Sequence, residues 1–340
     1  MPEAQKSMFS TEAPFFCVDM GTTRTRVWLV ERNKIWAHQA ADFGVRNVAA
    51  GESKAWLEER LGQLLDRTHV QAGEYGLSQA PSFIMAAGMI TSLEGILQVD
   101  HIEAPADAAQ LARHLQVCRL ASRSDLPLIL VPGVRTGELR PPVEKISDVD
   151  LMRGEETLCV GLLDDGLLQG NTALLNLGSH WKWIWVDEQA RIAGSRTTMT
   201  GELIHAIQTH TLIAASLPQG RPETFDSSWV QLGFEEVGKS GLTRALFCVR
   251  LLQLQEQGTS EQRLSFLYGA FIRSEIDHLH TRLQERVKHI LIAGPTALAE
   301  IWQSYIAEFE VTAHILTEDK QEAAYLNGLR CLLRLNQISQ

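Results

Sequence analysis

The sequence has no long hydrophobic run and no spaced cysteine motif. Over its 340 residues, no apolar stretch approaches the ~18 residues of a membrane-spanning helix. Residues 1–11 are polar and lack the apolar centre of a signal peptide. The five cysteines are scattered without metal-ligand spacing, which is typical of reduced thiols in a reducing compartment. We therefore expect a cytoplasmic protein with no membrane partner.

An excess of positive charge is also lacking. The chain carries 31 Lys and Arg against 41 Asp and Glu, a net charge of −10, which argues against nucleic acid and anionic membranes as partners. Hydrophobic residues make up 45% of the chain, so a large core can form, and the length suits two domains. Any phosphate ligand must then bind at a locally basic site.

An apolar run at residues 15–20 is followed by a turn-forming stretch and a second strand-like run. The turn contains Gly21, Thr22 and Thr23, so we predict a β-hairpin with Asp19 at its mouth. Small residues let backbone N–H groups approach a phosphate, and a carboxylate beside them can hold a hydrated Mg²⁺. The same pattern is also that of an ordinary turn.

Strand-like and helix-like segments alternate along the chain, which indicates an α/β protein. The predicted strands after the hairpin are residues 34–40, 82–87, 126–131, 174–177, 181–186, 191–196, 287–293 and 311–316. The predicted helices are residues 53–69, 106–118, 150–163, 201–210, 241–255, 261–282 and 321–334, with another from 297. The three-strand stretch at 174–196 repeats the meander at 14–40, as an ancient duplication would leave.

Residues 233–240, Gly-Phe-Glu-Glu-Val-Gly-Lys-Ser, match the phosphate-binding pattern GxxxxGK[ST]. That pattern works only between a buried strand and a helix, whereas these residues come late in a helical region. Glu235 and Glu236 would also place negative charge against a phosphate. We therefore interpret the segment as a connection between two helices.

Two further loops and one acidic segment suit phosphate chemistry. Residues 176–180 place small residues between two predicted strands, and residues 290–295 end a buried strand at a glycine before a helix. Between the first two loops, residues 148–157 group acids at 150, 155 and 156 around Arg153. Each has an ordinary structural interpretation, but their placement after strands in both halves favours a nucleotide site.

Five segments also resemble the motifs of one protein family. They are residues 19–23, 88–92, 150–157, 178–183 and 198–203. The two most specific are Asp-Leu-Met-Arg-Gly-Glu-Glu-Thr at 150–157 and Thr-Met-Thr-Gly-Glu-Leu at 198–203. On these residues the chain resembles the 2-dehydro-3-deoxygalactonokinases, sugar-acid kinases of the actin/hexokinase/Hsp70-like superfamily.

The resemblance implies an α/β fold of two ribonuclease-H-like, actin-like ATPase domains with a cleft between them. Residues 13–149 would form the N-terminal domain, with the first phosphate loop and part of the substrate site. Residues 150–340 would form the C-terminal domain, with the second phosphate loop and the adenosine site. The implied activity is transfer of a phosphoryl group from ATP, with Mg²⁺, to the C6 hydroxyl of 2-dehydro-3-deoxy-D-galactonate, in galactonate and galactose catabolism. A small sugar acid is the expected partner, and a homodimer is left open.

The resemblance also implies roles for individual residues. Asp150 and Glu155 are both candidates for the base, Arg153 is a catalytic cation, and Asp19 would hold Mg²⁺ through water. The expected ATP contacts are Gly21, Thr22, Thr23, Gly178, Ser179, His180, Gly294 and Pro295. The expected substrate contacts are Gly88, Met89, Ile90, Lys182 and Met199.

Three positions depart from the family pattern. Trp181 replaces a serine beside the second loop, residues 93–99 replace an aromatic-rich segment, and Arg273 replaces a glycine. Two other functions therefore stay open. One is a kinase of a different sugar or 2-keto-3-deoxy sugar acid. The other, suggested by the bulk of Trp181, is a non-catalytic sugar-acid or nucleotide sensor with the same fold.

Overall fold

The computed structural model describes residues 9–309 and 311–338. Within them the chain forms two compact units. The first contains the residues up to Gly170, the segment Val186–Ser195 and the residues from Gln321 onward, and the second contains Asn171–Trp185 and Arg196–Lys320. The predicted boundary between residues 149 and 150 differs from this division. The chain continues in the first unit for another twenty residues or so and returns to it at the C-terminal end.

The strands of the described residues pair into three sheets. In chain order they are β1 (Phe15–Met20), β2 (Thr25–Glu31), β3 (Lys34–Ala41), β4 (Ile84–Gly88), β5 (Ile102–Glu103), β6 (Gln116–Leu120), β7 (Arg123–Leu130), β8 (Val134–Thr136), β9 (Asp150–Met152), β10 (Thr172–Leu177), β11 (Trp181–Val186), β12 (Ile192–Thr198), β13 (His289–Ala293) and β14 (Thr312–Ile315). The smallest sheet has the order β5-β8-β9.

The α-helices alternate with these strands along the first unit and dominate the second. They are α1 (Val45–Ala49), α2 (Lys54–Glu74), α3 (Ala108–Arg113), α4 (Glu155–Asp164), α5 (Thr200–His210), α6 (Ser227–Ser240), α7 (Leu242–Leu254), α8 (Ser260–Arg286), α9 (Thr296–Ile306) and α10 (Glu318–Ile338). Across residues 9–309 and 311–338, none of the helices is long and apolar enough to cross a membrane.

The first unit is built on a six-stranded sheet of order β3-β2-β1-β4-β7-β6. β1, β2 and β3 form an antiparallel meander, whereas β4 runs parallel to β1 and β7 parallel to β4. Buried leucines of α2 pack with Phe16, Val18 and Met20 on one face of the sheet. Burial on both faces leaves Asp19 as the single half-exposed residue of β1. Asp19, near the carboxyl end of β1, is therefore the residue of this strand that solvent can reach.

The second unit is built on a five-stranded sheet of order β12-β11-β10-β13-β14. Here β13 runs parallel to both β10 and β14. β10 is buried along its length except at the fifth of its six residues, Asn176, and Asp19 is the fifth of the six residues of β1. The two opening strands thus share one pattern of burial.

Glycines also occupy matching places in the two sheets. Gly88 ends β4 with φ +93°, and Gly294 follows β13 with φ +144°. A Cβ on Gly88 would lie 2.5 Å from the carbonyl oxygen of Met20, and one on Gly294 would lie 3.1 Å from that of Leu177. Each glycine therefore lets a parallel strand end against the first strand of its sheet. This correspondence supports the predicted duplication.

Two predicted helices are shorter than expected because short strands replace part of each. Of residues 106–118 only α3 is helical, and β6 follows it and pairs antiparallel with β7. Of residues 150–163, β9 takes the first three and pairs with β8. Gly154, with φ +108°, separates β9 from α4.

Residues 233–240 lie inside α6, so they are a helix rather than the predicted connection, and they form no phosphate-binding loop. A Cβ on Gly233 would lie 1.9 Å from the carbonyl oxygen of Phe266, and one on Gly269 would lie 1.9 Å from that of Val230. α6 and α8 therefore cross in backbone contact at these glycines. The first glycine of the pattern serves helix packing.

Candidate active site

Asp19 is the next-to-last residue of β1, and its partner across the hairpin is Arg26 of β2. Arg26 Nε and Nη2 donate to Asp19 Oδ2 at 3.1 and 2.5 Å. Burial acts to lower the pKa of Arg26, but the Asp19 carboxylate raises this pKa above its usual value. The Asp19 side chain is 18% exposed. The carboxylate is therefore reachable from solvent while Arg26 fixes its direction.

The first turn, Gly21–Arg24, is held on its carbonyl side. Gly21 N donates to the carbonyl oxygen of Arg24 at 2.8 Å, and Arg46 N donates to that of Thr22 at 2.9 Å. Gly44, at the start of α1, comes so close that a Cβ there would lie 2.4 Å from the Gly21 oxygen and 2.6 Å from the Thr22 oxygen. Contact with the chain that follows β3 thus fixes the turn.

Gly88 and Gly154 converge on Asp19. A Cβ on Gly88 would lie 3.2 Å from Asp19 Oδ1. A Cβ on Gly154 would lie 3.2 Å from Gly88 Cα and 3.9 Å from Asp19 Oδ1. The first unit therefore brings together three segments that the sequence analysis assigned to one site.

The surroundings of Asp19 fit a Mg²⁺ ion held mostly by water and phosphate oxygens. Mg²⁺ typically binds one or two carboxylates and keeps several waters. Oδ2 of Asp19 takes both Arg26 hydrogen bonds, while Oδ1 points to the two glycines, which carry no side chains to fill the space. Within the described residues no group of three or more His, Cys, Asp or Glu side chains could hold a metal ion. Asp19 is therefore the carboxylate donor that the described residues offer here, and water and phosphate oxygens would complete the coordination.

Arg153 binds the chain's own 91–101 segment. Its Nη1 donates to Thr91 Oγ1 at 2.7 Å, and its Nη2 donates to the carbonyl oxygen of Val99 at 2.8 Å and lies 3.3 Å from His101 Nδ1. Burial lowers the pKa of Arg153. These contacts hold the guanidinium against a protein loop, and the role of Arg153 as a catalytic cation stays a prediction.

The two candidate bases lie at opposite ends of one short segment. Asp150 opens β9, and its Oδ2 accepts a hydrogen bond from Ser195 Oγ. Glu155 is the first residue of α4, directly after Gly154. Both side chains are half-buried. The geometry leaves both acids as candidates.

The predicted substrate segment 88–90 is divided between surface and core. Ile90 is fully buried in the hydrophobic core of the first unit, whereas Met89 packs against that core half-buried. Apolar burial holds the Ile90 side chain inside, so Gly88 and Met89 are the better-placed substrate candidates of this segment, and the contact by Ile90 stays a prediction. Gly88 remains in the site through its contact with Asp19.

In the second unit, the loop Gly178–His180 joins β10 and β11. A Cβ on Gly201 would lie 2.5 Å from the carbonyl oxygen of Gly178 and 2.7 Å from that of Ser179. Gly201 thus approaches the second loop as closely as Gly44 approaches the first turn. His180 Nε2 lies 3.0 Å from Glu202 Oε2, which ties the loop to α5. The second loop is therefore supported in the same way as the first.

Trp181 points into the core of the second unit. It is 2% exposed and packs edge-on against Trp302 with ring centroids 5.6 Å apart, and Trp183 does the same at 5.9 Å. The bulk that suggested a non-catalytic sensor is thus buried among aromatic rings. Lys182 lies between the two tryptophans in β11 and is 5% exposed, on the opposite face by strand alternation.

The remaining predicted contacts of the second unit lie at helix starts. Met199 immediately precedes α5 and is 55% exposed. Gly294 and Pro295 lead from β13 into α9, whose first turn presents backbone N–H groups. This is the position that favours a phosphate or nucleotide ligand.

The family model of 2-keto-3-deoxy-galactonokinase matches residues 19–332. The match begins at Asp19 and includes every predicted site residue. The chain belongs to the 2-keto-3-deoxy-galactonokinase family. It is accordingly a kinase, an enzyme that transfers a phosphoryl group. A 2-dehydro-3-deoxygalactonokinase of Escherichia coli (strain K12) is 25% identical over 321 residues, which cover 94% of this chain and 97% of that protein.

Two solved structures are similar to this kinase-family chain. One is titled "Crystal structure of a putative 2-dehydro-3-deoxygalactonokinase protein from Sinorhizobium meliloti", with a TM-score of 0.72, 23% identity, and coverage of 94% of this chain and 96% of that one. The other is the activator of the 2-hydroxyisocaproyl-CoA dehydratase from Clostridium difficile, with a TM-score of 0.50, 10% identity, and coverage of 96% and 97%. The predicted α/β fold of the actin-like ATPase class is confirmed.

Two residues that shape the kinase-family site, Arg26 and Glu156, had no predicted role. Arg26 donates hydrogen bonds to Asp19. The predicted pairing of the two hairpin strands could have indicated that these residues face each other. Glu156 accepts hydrogen bonds from Gly154 N with both carboxylate oxygens at 2.8 Å, and its signal was the doubled acid at 155 and 156.

Proposed function

We propose that the protein is a 2-dehydro-3-deoxygalactonokinase. It transfers the terminal phosphoryl group of ATP, with Mg²⁺, to the C6 hydroxyl of 2-dehydro-3-deoxy-D-galactonate, a step of galactonate and galactose catabolism in the cytoplasm. The convergence of Asp19, Gly88 and Gly154 carries the proposal, because the family match covers all three segments. The name of the E. coli relative supports the choice of substrate.

In the first unit, phosphoryl transfer needs neutralised charge and a fixed phosphate. Asp19 would hold the Mg²⁺ ion through water, and the ion would supply positive charge that neutralises the transferring phosphate. Thr22 and Thr23 offer backbone N–H groups to the terminal phosphates, because the carbonyl side of the turn is already held by Gly44. The N–H of Gly21 is bonded to the Arg24 carbonyl oxygen, so Gly21 contributes the room for a close approach of the phosphate.

The base that accepts the hydroxyl proton is Asp150 or Glu155. Each is a carboxylate on a segment that reaches the Asp19 cluster through Gly154. Ser195 fixes the direction of the Asp150 carboxylate by its hydrogen bond to Oδ2. Glu155 directly follows Gly154, so it is the candidate nearer in the chain to the glycine that lies beside Asp19.

In the second unit, Gly178, Ser179 and His180 bind phosphate oxygens through the supported loop between β10 and β11. Gly294 and Pro295 contact the adenosine at the start of α9. Met199, which is exposed, contacts the sugar acid, whereas the burial of Lys182 makes it a weaker candidate.

A coupled assay with purified protein tests the proposal. The substrates compared are 2-dehydro-3-deoxy-D-galactonate, its gluconate-derived epimer and ordinary hexoses, each with Mg²⁺-ATP. We expect turnover with the galactonate-derived acid, and phosphorus–proton NMR coupling in the product should locate the phosphate at C6. Preference for the epimer or for another sugar would establish the alternative, a kinase of a different substrate.

Matched isosteric variants identify the base. Asp150→Asn and Glu155→Gln each remove the proton acceptor while keeping the shape of the side chain. We expect the variant of the true base to lose about 10²–10⁴ in kcat, with a smaller loss in the other. Equal activity of both variants and wild type would exclude both residues.

A further inference from the structure

Glu156 is a buried carboxylate that the proposed mechanism leaves without a task. It is the second residue of α4 and is 0% exposed. We propose that Glu156 is a positioning residue of the phosphoryl-transfer site, which holds the Gly154 peptide and through it the surroundings of Asp19. This inference rests on the proposed function and extends it to a residue that touches neither substrate nor nucleotide.

The contacts of Glu156 are directed at the turn before the helix. Both of its carboxylate oxygens accept from Gly154 N at 2.8 Å, and Thr157 Oγ1 donates to Oε1 at 3.3 Å. A carboxylate in the first turn is also favoured by the helix dipole. Charge-assisted bonds of this kind are stronger than those between neutral groups. The Gly154 peptide is therefore firmly held in one orientation.

The orientation of Gly154 decides what lies beside Asp19. Gly154 has φ +108°, a conformation that L side chains rarely adopt, and a Cβ on it would touch Gly88 Cα at 3.2 Å. Gly88 in turn lies against Asp19 Oδ1. Rotation of the Gly154 peptide would therefore move backbone atoms into the space beside this oxygen, where a metal-bound water would have to fit.

The strand that carries Asp19 is held by a separate contact. Tyr325 of α10 is buried and donates to the carbonyl oxygen of Val18 at 3.1 Å. The backbone next to Asp19 is therefore fixed independently of Glu156.

The alternative is that Glu156 only stabilises the start of α4. A structural role would change the melting temperature of the protein and leave the metal dependence of nucleotide binding unaltered. A positioning role would change that dependence and kcat together. The two roles are thus separated by measurements that do not rely on stability.

The experiment compares Glu156→Gln, Glu156→Asp and Leu162→Ala. The Gln variant replaces one acceptor oxygen by a donor that faces Gly154 N, while the Asp variant keeps the charge on a shorter side chain. Leu162 is fully buried in the same helix, so Leu162→Ala controls for lost stability. The readouts are the affinity for adenylyl imidodiphosphate with and without Mg²⁺, by calorimetry, and the kcat and KM of the sugar acid.

For Glu156→Gln we expect the Mg²⁺-dependent gain in nucleotide affinity and kcat each to fall about 10–100-fold, the range for residues that orient a metal site. Metal-free nucleotide affinity and the KM of the sugar acid should stay within twofold. Glu156→Asp should recover part of the loss, and it decides the question by the same readouts if the Gln variant does not fold. Leu162→Ala should lower only the melting temperature.

The inference is overturned if the Glu156 variants behave like Leu162→Ala. Failure of the proposed function gives a different result. Wild-type protein would then not phosphorylate the keto acid, while the Mg²⁺-dependent binding of the nucleotide analogue would still report on Glu156.

Discussion

Asp19 and Arg26 face each other across the first hairpin, and both hydrogen bonds from Arg26 end on the same oxygen of Asp19. The arrangement leaves Oδ1 directed at Gly88 and Gly154. A carboxylate that is fixed through one oxygen can present the other to a hydrated cation. The pair is therefore a device for orientation, and its exposure limits its contribution to stability.

Asp19→Asn should lower kcat at least ~100-fold, since removing one preorganised electrostatic group from an active site has effects of this size. Arg26→Gln should break the ion pair but change the free energy of unfolding by less than about 1 kcal/mol, because exposed pairs contribute little. Steady-state kinetics and chemical denaturation check both values. Full activity of Asp19→Asn would remove Asp19 from the mechanism.

Gly88 and Gly76 have nearly the same backbone angle, with φ +93° and +92°, so Gly76 is a control for substitutions at Gly88. A Cβ on Gly76 would meet nothing within 4 Å, whereas one on Gly88 would meet Met20 O at 2.5 Å. Gly76→Ala should therefore destabilise by about 1–2 kcal/mol through backbone strain alone. Gly88→Ala should lose a further ~1–3 kcal/mol through overpacking and also lose activity. Equal unfolding free energies of the two variants would contradict the close approach.

Residues 233–240 of α6 match the phosphate-loop pattern, and we expect its lysine and its first glycine to respond differently to substitution. Lys239 is 67% exposed and pairs with Glu235 one turn away, so Lys239→Ala should leave kcat, KM for ATP and stability unchanged. Gly233→Ala should destabilise by about 1–3 kcal/mol or more, because it forces α6 away from α8. Kinetics and thermal denaturation distinguish the two. Loss of ATP binding in Lys239→Ala would restore the motif as a functional loop.

Trp181→Ser restores the family's residue and tests whether the tryptophan hinders the second loop. Because Trp181 packs on Trp302 in the core, the change should destabilise by about 3–5 kcal/mol, the range for removing a buried tryptophan. It should not raise kcat. A variant that is more active than wild type at low temperature would show that Trp181 does obstruct catalysis.

Cys17 and Cys331, which are buried, should be poorly reactive in the folded protein. Burial raises the pKa of Cys17 to about 12 and that of Cys331 to about 11, so both thiols remain protonated near neutral pH. Titration with a disulfide reagent at pH 8 should label these two only after denaturation, with activity retained beforehand. Rapid labelling of Cys17 in the native protein would contradict its burial.

Local patterns predicted much of the fold because their causes are local. Alternating apolar residues and small turn residues lie within a few positions of one another, so both opening hairpins and most helices were predicted near their observed bounds. β6 and β9 were missed, since a short strand forms only where a neighbouring strand is available to pair with it. The excess length of the two predicted helices has the same cause.

The candidate site shows the same division. The sequence specified an α/β chain with glycine loops after its opening strands, an acid at the end of β1 and an acid-rich segment between the loops. Only the tertiary structure decided that Gly88 and Gly154 meet at Asp19, that Arg153 binds the loop at Thr91 and Val99, and that the Ile90 and Trp181 side chains turn inward. Contacts between residues so far apart in the chain depend on how whole strands and helices pack, which no local pattern contains.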